Sequence, residues 1–189
     1  MGILLKVRKL LIIFALTLFF IIPLAAEENL ELSLYGVNRW AAGDMAEHML
    51  CTAGGGFAVE WKLPILPILG VSGRAEGQAA LGVEEDIENW WNATFMAGAF
   101  VNLPLGSAII LRPELSYGVM LHMVKSPSRD IDGVFADQII QIAASLRISP
   151  QAMKGKGLSI ELAPMYTLLT EKTAALHYVG LRAGVNYKL

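Results

Sequence analysis

The chain has 189 residues, 54% of them apolar and only 17% charged, with a formal net charge of −2 and a single cysteine. A soluble domain carries about a quarter charged residues, and a disordered chain needs low hydrophobicity with high net charge, so neither class fits. The near-neutral charge without a basic stripe argues against nucleic acid as a partner, and one cysteine excludes an intrachain disulfide framework or a cysteine-rich zinc site.

In chain order, Lys6, Arg8 and Lys9 precede the apolar run Leu10 to Leu24, and Ala25-Ala26 is followed by Glu27-Glu28. A basic start, an apolar stretch and small residues before a polar one make a secretory signal peptide, cleaved after Ala25 or Ala26. The alternative is an uncleaved anchor helix, since the run is near the lower spanning limit. No other run approaches that length, which excludes a polytopic helical membrane protein. The predicted organisation is a signal peptide over 1–26, exported through the Sec pathway, and one domain over 27–189.

Beyond Glu28 the polarity alternates with period two, the pattern of half-buried strands. Leu30, Leu32 and Leu34 alternate with Glu31, Ser33 and Tyr35; Phe57 to Leu63 and Leu69 to Ala79 follow, then Ala93 to Val101. Ile109 to Val119, Ile140 to Leu146, Leu158 to Tyr166 and Val179 to Leu189 complete eight strands. An even number lets an up-and-down barrel close with both termini on one side. Connections after strands two and four are short, with Pro64 and Pro67, then Asn102, Pro104 and Gly106; Pro150 to Gly157 is somewhat longer. Those after strands one, three and five are long and polar (Arg39 to Leu50, Val83 to Trp91, Val124 to Gly133), and that around Thr170 to Thr173 is short. Pro113 and Pro164 remove ladder hydrogen bonds and are placed at strand ends or bulges.

The polar face decides what the apolar face meets. It holds Arg74, Arg112, Arg147 and Arg182 with Glu60, Glu76, Glu114 and Glu161, interspersed with Gly118, Ala143, Ala163, Gly180 and Gly184. An eight-stranded barrel has an interior just wide enough for side chains, and arginine and glutamate can satisfy each other across it while small residues make room. On the apolar face Trp61, Tyr117, Tyr166 and Tyr187 are read near strand ends, where amphipathic rings suit a membrane interface. The predicted fold class is therefore all-β, an eight-stranded antiparallel up-and-down transmembrane β-barrel. A soluble periplasmic, lipocalin-like binding barrel with the faces reversed is the alternative.

The chain resembles the small eight-stranded bacterial outer-membrane barrels of the OmpA transmembrane domain, OmpX and OmpW type. The resemblance covers the mature chain as a pattern, and its sharpest element is the C-terminal GLRAGVNYKL. It implies an outer-membrane location in contact with lipid and insertion by the barrel-assembly machinery, which reads the last strand; Val185, Tyr187 and Leu189 lie on its lipid face. The final Leu189 departs from the aromatic residue usual there.

Four clusters carry groups capable of chemistry. The Arg/Glu set reads as a structural plug or as the gate of a narrow path for ions or small hydrophobic solutes, with the plug preferred. Asp44, His48 and Cys51 have spacings that place them on one helical face, which suits a metal or, preferably, a short amphipathic loop helix; no metal or cofactor is assigned. Glu84, Glu85, Asp86 and Glu88 beside Trp90 and Trp91 read as a solvated acidic loop over an interfacial belt rather than a cation site. His122 with Ser126, Ser128, Asp130 and Asp132 is the sole arrangement resembling a nucleophile and base, and it does not carry an enzyme assignment. The expected role is structural or surface interaction through the loops, with the loop partner unidentified.

Overall fold

A strand whose side chains alternate in polarity has two unlike faces, and closing such strands into a cylinder gives one face the inside and the other the outside. The computed structural model describes residues 29–43, 46, 49–127, 130–170 and 175–189. The expected signal peptide over 1–26 lies outside these residues. Eight long strands follow one another: β1 (Leu30–Ala42), β2 (Cys51–Leu63), β3 (Leu66–Leu81), β4 (Asn89–Val101), β5 (Ile109–Ser126), β6 (Ile131–Ile148), β7 (Leu158–Thr170) and β8 (Ala175–Lys188). A two-residue strand, Leu103–Pro104, pairs with β5 at the β4–β5 turn, and a four-residue helix α1 (Gln151–Lys154) lies in the β6–β7 turn. Each strand pairs antiparallel with its chain neighbour. β1 also pairs with β8, from Glu31↔Lys188 to Ala42↔His177, and so closes the barrel.

Every long strand has at least 13 residues, more than the roughly 9–11 that a tilted strand needs to cross a bilayer. The apolar set faces outward: Leu34 is 73% exposed and Leu115 58%, whereas Arg112 and Arg182 on the opposite face are fully buried. This excludes the soluble alternative, which required the apolar set inside. A continuous outer belt of Leu, Ile, Val and Phe is the surface of a bilayer-spanning barrel, because water penalises an apolar patch of that extent.

Two features differ from the sequence expectation. The strands run further toward the loop end: β1 reaches Ala42 instead of ending near Tyr35, β5 reaches Ser126, and β6 begins at Ile131 rather than Ile140. The β5–β6 ladder continues to Ser126↔Ile131. There the hairpin projects past the belt, its outer face carries exposed Lys125, Asp132 and Gln138 beside Met123 and Val134, and the period-two signal disappears. The prolines, too, lie inside strands rather than at ends or bulges. The β4–β5 ladder stops at Phe100↔Glu114 and resumes at Leu103↔Leu111; the β6–β7 ladder stops at Ala143↔Met165 and resumes at Leu146↔Leu162. Register is the same on either side of each gap, so the missing N–H interrupts the ladder without displacing it. Each proline keeps a paired neighbour on its other flank, Ala144 for Pro113 and Leu181 for Pro164.

Both described termini sit at the end with the tight turns: the Leu189 N–H donates to the Leu30 carbonyl at 3.0 Å, and the Lys62 N–H to the Asn29 carbonyl at 3.0 Å. Leu115→Arg tests the assignment of faces. In lipid vesicles this change near mid-belt is expected to cost about 2–4 kcal/mol of folding stability in a urea titration. A neutral effect would mean that Leu115 faces water.

Candidate functional site

Alternate residues of all eight strands point into a lumen too narrow for bulk water, so its charged groups must satisfy one another. Six of them form a closed ring of alternating sign. Arg74 of β3 grips Glu114 of β5 with two nitrogens, at 2.7 and 2.6 Å. The same Glu114 accepts from Arg182 of β8 at 3.2 Å, and Arg182 donates to Glu161 of β7 at 2.9 Å. Glu161 accepts from Arg147 of β6 at 2.8 Å, Arg147 donates to Glu60 of β2 at 2.6 Å, and Glu60 returns to Arg74 at 3.2 Å. A seventh member, Arg112, donates to Glu60 at 2.6 Å.

The two strands outside the ring supply aromatic faces. Tyr35 of β1 lies under both Arg74 and Arg182, with guanidinium carbons 5.7 and 5.3 Å from the ring centre. Phe100 of β4 stacks on Arg112 at 3.2 Å, a cation–π contact that partly replaces the second carboxylate this arginine lacks. Room for Tyr35 comes from two glycines. A Cβ on Gly184 would stand 2.5 Å from the Cβ of Tyr35, and one on Gly56 would stand 3.0 Å from its ring.

Seven of the eight charged residues expected in the lumen meet in this cluster. The eighth, Glu76, belongs to a separate layer nearer the loop end, where it binds Arg39 at 2.6 Å, Gln78 at 2.9 Å and the Tyr35 hydroxyl at 3.2 Å. Arg39, Tyr35 and Phe100 were not singled out in the sequence. Arg39 fell in an expected loop, yet it shares the parity of Ser33, Tyr35 and Val37, which is the signal that could have found it. Toward the tight turns, Glu31 bridges Lys62 and Arg147, the latter at 2.6 Å. Toward the loops the lumen turns apolar: Met49, Met96, Met120, Ile139, Leu169 and Tyr178 pack together, fully or nearly fully buried.

The outer aromatics divide by height. Trp61 and Tyr187 stand near the tight turns, opposite Leu30 and Leu32 of β1 respectively. Tyr117 is not near a strand end: it is the ninth of eighteen residues in β5, paired with Ala97 and Ile140. Tyr166 lies four residues from the loop end of β7, with its hydroxyl on His177 Nδ1. Val185, Tyr187 and Leu189 are all exposed on the outer face of the closing strand and its end.

At the loop end Asp44, His48 and Ser128 lie outside the described residues, and Cys51 is buried at the start of β2. Trp91 faces outward, but Trp90 turns into the barrel mouth and donates to Asn92 at 3.0 Å, so the expected tryptophan belt holds one of the pair there. His122 contacts Asn92 at 2.8 Å and stands 3.3 Å from Asp137, while Ser126 donates to the Asp86 carbonyl at 2.7 Å.

The sequence matches no protein-family model and no curated protein. Solved structures match the fold. Neisserial surface protein A aligns with TM-score 0.60 and 10% identity, over 85% of this chain and 97% of that one. Ail, the attachment invasion locus protein of Yersinia pestis, solved with the heparin analogue sucrose octasulfate, gives 0.52 and 14% over 85% and 100%. The N-terminal β-barrel domain of Pseudomonas aeruginosa OprF gives 0.51 and 11% over 83% and 97%. The fold is that of the small eight-stranded outer-membrane β-barrels.

The ring makes an energetic prediction. Glu114→Gln strips the charge shared by Arg74 and Arg182 and is expected to lower stability by about 3–5 kcal/mol, read by urea unfolding in micelles. Glu76→Gln, which serves one arginine, is expected to lose less. Equal losses would show that the ring is not a cooperative unit.

Proposed function

We propose that the protein is an integral outer-membrane barrel whose interior is a structural plug and whose work is surface interaction at its loop end. Short turns and both ends of the barrel domain lie in the periplasm on this reading, and the longer loops lie outside the cell. The outer-membrane lipid contacts the belt, and the barrel-assembly machinery reads the closing strand through Val185, Tyr187 and Leu189. No catalytic role or cofactor is assigned. The charge ring, with Tyr35 and Phe100 filling the lumen between its members, supports a plug over an ion path.

One observation carries the surface role. The β5–β6 hairpin outruns β7, for β6 pairs with β7 only as far as Gln138↔Thr170, while on the other side β4 follows β5 to Asn89↔Lys125. Thr170 and Ala175 are themselves a ladder pair, so β7 turns back there. Ile131 to Asp137 are thus paired to β5 on one side, while the described part of β7 ends below them. An exposed strand edge of seven residues offers alternate N–H and C=O groups to an extended segment of another protein. Val134 and Phe135, 63% and 51% exposed, supply apolar contacts for it. Ail takes a sulfated sugar analogue, but charge argues against such a ligand here. The acidic residues Glu84, Glu85, Asp86, Glu88, Asp130 and Asp132 outnumber the bases Lys125 and Arg129 in the second and third loops.

Two measurements test this reading. The refolded barrel in planar bilayers is expected to be electrically silent, and regular conductance steps would remove the plug. Bacteria displaying a barrel whose hairpin is shortened by deleting Val124–Gly133 are expected to lose attachment to a protein-coated surface while the folded band on an unboiled gel persists. Unchanged attachment would dismiss the hairpin.

A further inference from the structure

Two neighbouring turns at the end opposite the hairpin carry a surface that the plug and the hairpin leave unused. The β2–β3 turn reads Leu63-Pro64-Ile65-Leu66-Pro67-Ile68 and the β4–β5 turn reads Leu103-Pro104-Leu105-Gly106-Ser107-Ala108. No charged residue occurs from Leu63 to Gly73 or from Asn89 to Leu111. The turns lie side by side, since Leu69 pairs with Val101 and the Asn102 N–H donates to the Ile68 carbonyl at 2.6 Å. Ile65 is 91% exposed, and Leu66, Ile68, Leu103 and Leu105 are exposed with it. Turns favour Gly, Pro, Asn, Asp and Ser; the prolines, Gly106 and Ser107 fit that preference, but the exposed aliphatic side chains between them need another surrounding.

We infer that this arc of the rim is immersed in the periplasmic leaflet of the bilayer, so that the barrel sits deeper on the β2–β5 side than on the β6–β8 side. The inference rests on the membrane reading above. Three observations favour phospholipid over a protein partner. First, the arc continues the belt without a break, from Trp61, Val71 and Val101 into Leu63, Leu69 and Leu103. Second, Pro64, Pro67 and Pro104 remove three backbone N–H donors where water would be lost, and the N–H groups of Asn102 and Leu105 are bonded to Ile68 and Ile109 carbonyls. Third, the opposite arc is cationic: the β6–β7 turn contains Lys154 and Lys156 and no acid, and Lys188 ends β8. Lys156 and Lys188 are exposed. An aliphatic arc and a basic arc on one rim match hydrocarbon on one side and anionic headgroups on the other.

Site-directed quenching tests this in vesicles of phosphatidylethanolamine and phosphatidylglycerol. A polarity-sensitive fluorophore is placed on Ile65→Cys, Leu105→Cys, Lys156→Cys or Leu115→Cys, each with Cys51→Ala and each checked for the folded band on an unboiled gel. Spin-labelled lipid is expected to cut emission at positions 65 and 105 by about twofold, as at position 115 in the belt, while aqueous iodide quenches position 156 alone. Iodide quenching at 65 and 105, with 115 still quenched by lipid, overturns the immersion and leaves the arc facing a periplasmic partner. Loss of lipid quenching at 115 as well sinks the membrane reading itself. Position 105 keeps the test decisive if the position 65 variant does not fold.

Discussion

Everything in this molecule depends on closing a circuit of opposite charges inside a space that admits little water. Seven ionised side chains from six strands occupy one level of the lumen, and each would be strongly destabilising alone. Arranged as an alternating ring, each carboxylate serves at least two guanidiniums, and the planar geometry of arginine makes the contacts directional. Such a ring requires the strands in one register, because shifting any strand by one residue would send its charge into the lipid. The ring therefore specifies the pairing as much as it fills the interior. Arg112, the member with one carboxylate partner, sits where Phe100 provides an aromatic face instead.

The outside follows from the inside. Once the polar parity is committed to the lumen, the other parity must meet something apolar, and in a barrel that is the bilayer. The two ends then diverge in character. One end has tight turns and an aliphatic arc; the other has acidic loops and a hairpin carried past the last inter-strand pair of its neighbour. A single cylinder thus carries the lipid-facing belt and the projecting hairpin, with the ring and the methionine cluster packed inside it.

Legibility in the sequence varied with how strongly each residue is forced to choose a face. Ring residues were readable because a charge in a period-two strand facing hydrocarbon must point inward, and seven expected residues meet in one cluster. Arg39 was missed because the alternation is legible only as far as Tyr35 and Arg39 to Leu50 reads as a loop, although the ladder carries β1 three residues beyond Arg39. Ile131 to Gln138 were missed as strand because the outward side chains beyond the belt need not be apolar: Asp132 and Gln138 are exposed there with Val134, and polarity no longer alternates. The prolines misled for a different reason: a gap in a ladder does not require a bulge when the strands on either side hold the register.

Alternation by itself determined the strand number and, within the belt, which residues share each face, because side-chain parity is a local property of extended chain and needs no partner to be read. What only the tertiary structure decided is which charge meets which: that Glu76 leaves the ring for Arg39, that Tyr35 sits beneath two arginines, and that Phe100 covers a third. Those outcomes depend on shear, the vertical stagger between neighbouring strands. That stagger is a property of the closed cylinder, set when β1 meets β8, and no single strand contains it.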